Sequence, residues 1–435
     1  MKISLINHGC AKNLVDAELI LGILTEKGYQ VTLDDNDAEI VIVNTCSFIH
    51  DAEKESVQSI LEMIEQGKKV IVTGCLSQKH NQDLKDAIPE LAGMIGTSNL
   101  QDIIKIVESI EKGEEYKSII EDNPKYIYLE TIERQQITMG ASSYLKIGEG
   151  CNYSCGYCII PKLRGKYISR SIENIVKEAK KLVAKGVTEI ILIAQDTSSY
   201  GIDLYGKQAL PKLLEELNKI DNLSWIRIMY AYPTQMTDEL IDAIAKLDKV
   251  VKYVDIPLQH SHPRVLASMK RPVMDYKELV EKIRNKIPGV SIRTSLIVGY
   301  PGETEEEFEH LYSFVKEVRF DRMGAFEYSR EKNTYSDTLS DQIPAKIKKQ
   351  RRDKLMKLQQ KISLENNEKY IGTTLKCIVE GYTDEGVIIM RSEHDAPEID
   401  GVVYASCERQ VVPGDIENVL INQADEYDLF GKIID

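Results

Sequence analysis

The sequence predicts a multidomain α/β protein, in which a parallel α/β sheet domain precedes a partial, open βα barrel and a small β domain. Strand and helix patterns alternate through residues 1–115 and again through residues 140–366, whereas residues 367–435 contain short strands of alternating polarity. Strands and helices that alternate at these lengths indicate parallel sheets covered by helices. We expect residues 116–139 to link the first two domains.

Three cysteines follow three strand patterns of the first domain at equivalent positions. The patterns KISLIN, EIVIVN and KKVIV end in small or polar turns that lead to Cys10, Cys46 and Cys75. The loops after parallel strands open on one edge of a sheet, which is where ligands bind. A single cysteine there would be interpreted as an inert buried thiol. Three at equivalent strand ends instead predict the thiolate ligands of one metal cluster.

The middle domain has six strand patterns, which helical stretches such as SIENIVKEAKKLVAKG separate. The strand patterns are SYLKIG, EIILIA, WIRIMY, YVDIPL, SIRTSLIVG and MGAFEYS. Six βα units predict a partial (open), TIM-like barrel with its ligands at the carboxyl ends of the strands. The glycines of GEG, at 148–150, and of GYPGE, at 299–303, are expected to form turns near that mouth, with ordinary turns as the alternative.

A CxxxCxxC pattern formed by Cys151, Cys155 and Cys158 lies in GEGCNYSCGYCIIP. Three thiolates hold three irons of a four-iron cluster, so one iron keeps a position open for a ligand other than protein. A structural zinc site is the alternative, but it usually has two CxxC pairs, or one pair with spaced histidines. Neither arrangement follows here. These three cysteines are therefore predicted to hold a catalytic [4Fe–4S] cluster.

Composition limits the class of protein. The chain has 435 residues, eight cysteines and a net charge of −14, and it shows no signal peptide pattern. It also lacks an apolar run of about 18 residues, the length that crosses a membrane. These features predict a cytoplasmic protein with no membrane partner, whose cysteines are metal ligands more readily than disulfides. Cys377 and Cys407 are expected to be ordinary thiols of the last domain.

These segments together resemble the radical S-adenosylmethionine (SAM) methylthiotransferases over essentially the whole chain. The resemblance rests on the two cysteine sets and on LRGKYISR, YVDIPLQHSHPRVLASMKR and IVGYPGETEEEF. It implies an N-terminal methylthiotransferase domain, a central radical SAM domain and a C-terminal TRAM domain. TRAM domains are small β-barrels, which the alternation in GVIIMRS and IENVLIN fits. Two [4Fe–4S] clusters and SAM are the cofactors that the resemblance implies.

The family also implies a division of labour between the two clusters. The cluster at Cys151, Cys155 and Cys158 is expected to cleave SAM reductively, with Tyr157 near the adenine. The resulting 5'-deoxyadenosyl radical removes hydrogen from an unreactive C–H bond, which acid–base catalysis cannot attack because such a carbon has no acidic proton. The N-terminal cluster is expected to carry a sulfur species that another SAM methylates. The methylthio group then joins the carbon radical, and an electron donor is a required partner.

Three further residues have two interpretations each. Arg164 and Arg170 are candidates for neutralising the charge of SAM or of a cluster, and a structural ion pair is the alternative for both. His260, in PLQHSH, is either a functional group or a histidine satisfied by its neighbours. Because satisfied histidines are the commoner case, His260 is left outside the catalytic set.

The substrate distinguishes two branches of the family: tRNA adenosine (MiaB type), and the β-carbon of an aspartate in small-subunit ribosomal protein S-twelve (RimO-like). Residues 370–435 contain fourteen acidic and four basic side chains, a net charge of −10. An RNA-binding surface is usually basic, whereas an acidic surface suits a basic ribosomal protein, free or on the assembled subunit. The motifs LRGKYISR, AQDTSSYGID, APEIDG and EYDLFG also resemble the ribosomal-protein branch. We expect that substrate; tRNA adenosine is the alternative, and a non-enzymatic iron–sulfur sensor or RNA-binding module is a third hypothesis.

Two segments after the last barrel strand, at residues 333–336 and 345–361, carry further expectations about a turn and a helix. Asn333 stands where the family has glycine, and Tyr335 and Ser336 stand where it has Pro-Ala. Asparagine tolerates the left-handed backbone, so the turn is expected to survive. Residues 345–361 are rich in Lys and Arg, and their spacing predicts a connecting helix with a solvated basic face. A contact of that face with ribosomal RNA or another acidic surface is the alternative.

Overall fold

The computed structural model describes residues 1–47, 50–114, 116–126, 128, 132–137 and 140–434. The chain divides into two compact units. The first comprises residues 1–139, 148–153 and 159–168, and the second comprises residues 140–147, 154–158 and 169–435. Cys151 therefore belongs to the first unit, whereas Cys155 and Cys158 belong to the second. Part of the predicted linker at 116–139 lies outside the described residues.

A six-stranded parallel sheet forms the body of the first unit. Its elements are β1 (Lys2–Asn7), α1 (Ala11–Glu26), β2 (Gln30–Val31), β3 (Ile40–Thr45), α2 (His50–Glu65), β4 (Lys69–Gly74), α3 (Cys75–Lys79), α4 (Asn81–Ala87), β5 (Gly93–Ile95), α5 (Ile103–Glu111) and β6 (Lys117–Ile119). The strands lie in the order β2-β1-β3-β4-β5-β6. The predicted parallel α/β sheet is confirmed, with two more strands after β4 than the cysteine-bearing patterns show.

The central strands of this sheet are apolar on both faces because helices cover both. Every residue of β3 is buried. Ile40 and Ile42 pack into one core cluster, with residues of α1 and α5. Val41 and Val43 pack into a second cluster on the opposite face, with residues of α2. Strands buried on two faces are expected to form continuous apolar runs.

Four short elements follow and lead into the barrel. They are β7 (Ser142–Lys146), β8 (Gly148–Glu149), α6 (Ile160–Arg164) and β9 (Ile168–Ser169). The CxxxCxxC segment occupies the connection between β8 and α6. It therefore begins shortly after the carboxyl end of β7, the first strand of the barrel.

The second unit contains the barrel. Its further elements are α7 (Ile172–Ala184), β10 (Glu189–Ile193), α8 (Ile202–Tyr205), α9 (Leu210–Asn218), β11 (Trp225–Ile228), α10 (Asp238–Lys246), β12 (Tyr253–Asp255), α11 (Pro263–Ser268), α12 (Tyr276–Lys286), β13 (Ser291–Val298), α13 (Glu305–Val318), β14 (Arg322–Glu327) and α14 (Ala345–Asn367). The six strands β7 and β10–β14 pair in parallel as two sheets, β7-β10-β11 and β12-β13-β14. A parallel bridge from Ile226 to Val250 lies between the two sheets. The predicted open βα barrel is confirmed.

A closed five-stranded barrel ends the chain. Its strands are β15 (Thr374–Tyr382), β16 (Ile388–Ser392), β17 (Val403–Ser406), β18 (Ile416–Ala424) and β19 (Leu429–Ile434), closed in the order β15-β16-β17-β19-β18. Cys377 is completely buried in its core, and Cys407 is half-buried just after β17. Their role as ordinary thiols stays a prediction. No helix of the described residues has the length and apolarity needed to span a membrane.

One loop of the small barrel packs against the amino ends of the large barrel's strands. Arg391 contacts Glu189 at the start of β10, and Asp395 pairs with Arg322 at the start of β14. The Asp400 carboxylate accepts a 2.7 Å hydrogen bond from the hydroxyl of Tyr253 at the start of β12. These contacts place the small barrel at the amino ends of the large barrel's strands.

Candidate metal centres and active site

The three N-terminal cysteines lie at the carboxyl ends of adjacent strands. Cys10 follows β1 and precedes α1, Cys46 follows β3, and Cys75 is the first residue of α3 immediately after β4. The chain is tight here: a Cβ atom added to Gly9 would lie 3.0 Å from the Cβ of Cys46. The predicted convergence on one sheet edge is therefore present. It arises because β1, β3 and β4 are neighbours in the sheet.

The side chain of Asn13, in the first turn of α1, contacts the end of β3 and lies near Cys10. Its amide nitrogen donates to the carbonyl oxygen of Thr45, at 2.9 Å, and its Oδ1 lies 3.9 Å from the Sγ of Cys10. The same Oδ1 accepts from Nη2 of Arg164, at 2.6 Å. No sequence pattern marks Asn13 as a site residue, because an asparagine three positions after a cysteine is not distinctive.

Arg164 places a buried cation next to the thiols. Its Nη2 lies 3.5 Å from the Sγ of Cys75, and its Nη1 forms ion pairs with Asp16, at 2.7 Å, and with Glu149, at 3.3 Å. The two interpretations of Arg164 are therefore both present in the structure: it is a buried structural ion pair, and it also contacts a candidate cluster ligand.

The electrostatic environment makes two of these thiols unequal. Desolvation alone would raise the pKa of Cys10, but the positive charges of Lys12 and Arg164, together with hydrogen bonds from the backbone of Asn13 and Lys12, outweigh it, so the pKa is lowered. For Cys75, desolvation dominates over the effect of Arg164, and the pKa is raised. Cys10 is exposed and Cys75 is buried. Cys10 is therefore the more reactive thiol of the pair before any cluster is bound.

Gly156 lies between Cys155 and Cys158 in the sequence, and neighbouring backbone holds it in place. Its N–H donates to the carbonyl oxygen of Met269, and its own carbonyl accepts from the N–H of Ser336, both at 2.8 Å. An added Cβ atom would lie 3.0 Å from the hydroxyl of Tyr300. The Ser336 contact uses backbone only, so the departure from Pro-Ala at 335 and 336 preserves it.

Tyr157 packs beside the large barrel's carboxyl ends. Its ring joins an apolar cluster that includes Met269 and Tyr300. Desolvation, together with negative charge on Cys155 and Cys158, raises the pKa of Tyr157 well above its ordinary value, although Arg271 opposes this effect. The tyrosine is therefore neutral at physiological pH. Its expected place near the adenine of SAM stays a prediction.

Arg271, from the segment SMKR, also reaches this cysteine set. Its Nη1 lies 3.8 Å from the Sγ of Cys155, and its Nη2 donates to the carbonyl oxygen of Pro257, at 2.6 Å. The side chain is almost completely buried, and its Nε has no hydrogen-bond partner in the part of the chain that the structure describes. Arg271 belongs to a quoted family motif, but the sequence did not reveal which residue it would contact.

The predicted turns adopt the backbone that favours glycine. Gly150 has a φ of +81°, Gly299 one of +71° and Gly302 one of +75°. Gly299 and Gly302 follow the carboxyl end of β13, so GYPGE lies at the barrel mouth as expected. Asn333 has a φ of +65°, which confirms that asparagine keeps the turn where the family has glycine.

Arg170 and His260 are both buried, and Arg170 lies in an ion pair. Arg170 pairs with Glu178, at 2.6 Å, which is the structural alternative given above. His260 is completely buried, and its Nδ1 accepts from the N–H of His262, at 3.0 Å. Desolvation lowers the pKa of His260 to about 3, so the ring is neutral. Its Nε2 lies 3.7 Å from Oε2 of Glu303 and forms no hydrogen bond within the described residues, so the place of His260 outside the catalytic set stays a prediction.

The basic segment 345–361 forms most of α14, as predicted. Its face is not wholly solvated, because Arg351 is buried and pairs with Glu303, at 2.7 Å. Glu303 is the last residue of GYPGE. This helix therefore supports the barrel mouth with one of its arginines while its exposed lysines remain at the surface.

The donor chemistry at both cysteine sets fits iron–sulfur clusters. Within the described residues, no three His, Cys, Asp or Glu side chains form a site for a single metal ion. A four-iron cluster binds each thiolate to a different iron, so its cysteines are not required to meet at one point. Each set also has a buried arginine at a sulfur atom, and one of these, Arg271, has an unpaired Nε. Cationic donors of this kind suit anionic thiolate clusters.

Three regions of this chain match known protein families. Residues 145–315 match the radical SAM superfamily, residues 2–96 match the uncharacterized protein family UPF0004, and residues 371–434 match the TRAM domain. The fold is similar to the radical S-adenosylmethionine methyltransferase TsrM from Kitasatospora setae, with a TM-score of 0.58 and 15% identity over 86% of this chain and 80% of that chain. At that identity the likeness shows the fold alone.

Two curated relatives match over their full length. The ribosomal protein uS12 methylthiotransferase RimO of Clostridioides difficile strain 630 is 46% identical over 100% of this chain and 99% of that protein. The protein of the same name from Caldanaerobacter subterraneus subsp. tengcongensis is 49% identical over 99% of each chain.

The fold, the CxxxCxxC segment at the barrel mouth and the family matches define a radical SAM enzyme, a class that uses SAM and a [4Fe–4S] cluster. The UPF0004 region precedes the barrel in the sequence and the TRAM region follows it, and these two regions distinguish a subgroup of radical SAM enzymes. The chain belongs to the RimO family of methylthiotransferases.

Proposed function

We propose that this chain transfers a methylthio group to the β-carbon of an aspartate in ribosomal protein uS12 of the small subunit. The observation that carries the proposal is full-length similarity, at 46% to 49% identity, to proteins named uS12 methylthiotransferase. The net charge of −10 in residues 370–435 supports a basic protein as substrate over tRNA. The substrate is the free protein or the assembled subunit, and it places the reaction in the cytoplasm.

Two clusters are part of the proposal. Cys10, Cys46 and Cys75 hold one [4Fe–4S] cluster, and Cys151, Cys155 and Cys158 hold the other. The placement of the first three at adjacent strand ends supports the N-terminal site. The family match at residues 145–315 supports the second site. Each set supplies three thiolates, so each cluster keeps one iron open to a ligand other than protein.

When bound, the cluster at the CxxxCxxC segment supplies reductive cleavage of SAM, and an external electron donor provides the electron. The chain's own residues bind and shield this chemistry. Tyr157 is neutral and packed against apolar side chains, so it offers an apolar surface for the adenine. Gly156 is held by Met269 and Ser336, so the segment that bears Cys155 is fixed before SAM binds.

The decisive experiment is anaerobic reconstitution with iron and sulfide, followed by incubation with SAM, a reductant, and either uS12 or unmodified tRNA. Two clusters predict about eight irons per chain, and about four after Cys46→Ala. Mass spectrometry of the two substrates then reads the product. A methylthio mass increase on an aspartate-containing peptide of uS12 is the expected result.

Two other results would change the assignment. The same mass increase on adenosine, with none on uS12, would move the chain to the tRNA branch and would show that the charge argument failed. Cluster binding without any 5'-deoxyadenosine under reducing conditions would favour a non-enzymatic sensor.

A further inference from the structure

Arg271 contacts a candidate cluster ligand, and no carboxylate of the described residues forms an ion pair with it. Its guanidinium lies 3.8 Å from the Sγ of Cys155 and 4.2 Å from the ring centroid of Tyr232. The ionisable groups that act most strongly on it are three tyrosines and Cys155, and no Asp or Glu is among them. The side chain is 8% exposed, so water screens its charge weakly.

Arg164, at the other cysteine set, has the opposite balance. It contacts the Sγ of Cys75, but Asp16 and Glu149 pair with it and both carboxylates are buried. Two buried carboxylates therefore oppose the positive charge of Arg164 beside Cys75. The two arginines therefore make the same kind of contact to sulfur in two different electrostatic settings.

We propose that Arg271 is a positioning residue that raises the reduction potential of the cluster held by Cys151, Cys155 and Cys158. The inference rests on the proposed function for the existence of that cluster. Reduction adds one electron from the external donor to the cluster, with no bond formed or broken. A buried positive charge and an N–H donor at a ligand sulfur favour the form that carries the extra electron.

The contacts of Nη1 and Nη2 indicate how the side chain of Arg271 is held. Nη2 is anchored to the backbone just beyond β12, so Nη1 is directed at Cys155 without a carboxylate to hold it. The planar guanidinium makes both contacts at once. A lysine at this position would keep the charge but would not satisfy both contacts.

The test compares Arg271→Met and Arg271→Lys in a Cys10→Ala/Cys46→Ala/Cys75→Ala background, which leaves one cluster. Dithionite titration under anaerobic conditions, monitored by electron paramagnetic resonance, gives the reduction potential. Arg271→Met is expected to lower the ratio of reduced to oxidised cluster about tenfold at fixed potential, which is about 59 mV for one electron. Arg271→Lys is expected to recover part of the loss.

Lys270→Met is the matched control, because it removes the same charge from the adjacent residue. Lys270 is exposed and lies over the ring of Tyr335, 4.1 Å from its centroid, rather than at a cysteine. The reduction potential of the cluster in Lys270→Met should equal that of the same chain with Lys270 intact. If the triple alanine background does not fold, the otherwise native chain is used, and the cluster is identified by the change that SAM causes in its spectrum.

Several outcomes would overturn the proposal. An unchanged reduction potential in Arg271→Met, together with weaker SAM binding, would mean that Arg271 binds SAM and does not tune the cluster. An equal shift in Lys270→Met would mean that the contact with Cys155 is irrelevant. A chain that binds no iron at the CxxxCxxC segment would refute the proposed function itself, which is a different result from a bound cluster with an unshifted potential.

Discussion

Arg164 and Asp16 form a buried ion pair, in which Nη1 lies 2.7 Å from Oδ2. Glu149 shares the same nitrogen at 3.3 Å, so one guanidinium compensates two buried carboxylates. The pair joins α6 to α1 within the first unit, beside the candidate ligands Cys10 and Cys75. Removal of the cation would break both of these buried ion pairs.

Arg164→Met is expected to destabilise the first unit by about 3–5 kcal/mol, because it breaks two buried ion pairs. Hydrogen exchange of peptides from α1 measures this local stability by mass spectrometry. Lys162→Met, on the same short helix but exposed, should change it by less than about 0.5 kcal/mol. Equal protection in both variants would show that the ion pair does not stabilise this unit.

Alanine variants of the two cysteine sets should fail in different ways. Cys155→Ala is expected to abolish formation of 5'-deoxyadenosine, because the cluster that binds SAM loses a ligand. Cys46→Ala should retain abortive 5'-deoxyadenosine formation and lose methylthio transfer. Liquid chromatography of the nucleoside and mass spectrometry of uS12 measure the two activities. If both variants lost the nucleoside equally, the proposed division of labour would be wrong.

Glu189 is a buried carboxylate on which two arginines converge, Arg391 from the small barrel and Arg227 from β11. Desolvation opposes its ionisation, but the two arginines outweigh it and lower the pKa of Glu189 to about 2. The unfolded pKa is higher, so ionised Glu189 stabilises the fold above about pH 4.5. That stabilisation, about 3 kcal/mol, is lost as pH falls towards 2.

Glu189→Gln is therefore expected to lower the free energy of unfolding at pH 7 by about 3–5 kcal/mol. Fluorescence of Trp225, the single tryptophan, reports unfolding at this end of the barrel. The matched control is Glu380→Gln, since Glu380 also pairs with Arg391, at 2.7 Å, but its side chain is 30% exposed. Its loss should be about 1 kcal/mol or less. Similar losses in the two variants would contradict the expected role of burial.

His260 should make the second unit sensitive to acid. Its folded pKa, about 3, lies below the ordinary value of 6.5, so the unfolded state binds more protons between these values. Stability is therefore lost as pH falls below 6.5, by about 2 kcal/mol at pH 5. His260→Asn removes the titrating group, and unfolding midpoints should then vary less across that range.

The control for this prediction is His310→Gln, because His310 is exposed. It should leave most of the pH dependence in place. Urea unfolding of the three proteins at pH 6.5, 6 and 5 separates the contributions. A steep pH dependence that survives in His260→Asn would assign the acid sensitivity to other groups.

Local patterns were enough to predict much of the architecture. The N-terminal strands are buried on both faces, so they form apolar runs that a single sequence displays directly. The cysteines at their ends follow from the same periodicity, and so does their common edge. Asn333 kept its turn because its conformation depends on a few adjacent residues. The helix at 345–361 was predicted, but the burial of Arg351 against Glu303 was not.

Strand patterns and chain order predicted that Cys10, Cys46 and Cys75 share one edge of the sheet, because the loops after parallel strands open on the same edge. Cys151, Cys155 and Cys158 were predicted as ligands from their CxxxCxxC spacing. The charges around them depended on contacts between distant segments. Arg164 meets Asp16 across 148 positions of sequence, and Arg271 meets Cys155 across 116. No periodicity relates residues so far apart. Only packing in three dimensions decides which arginine has carboxylate partners and which presents an unneutralised charge to a sulfur atom.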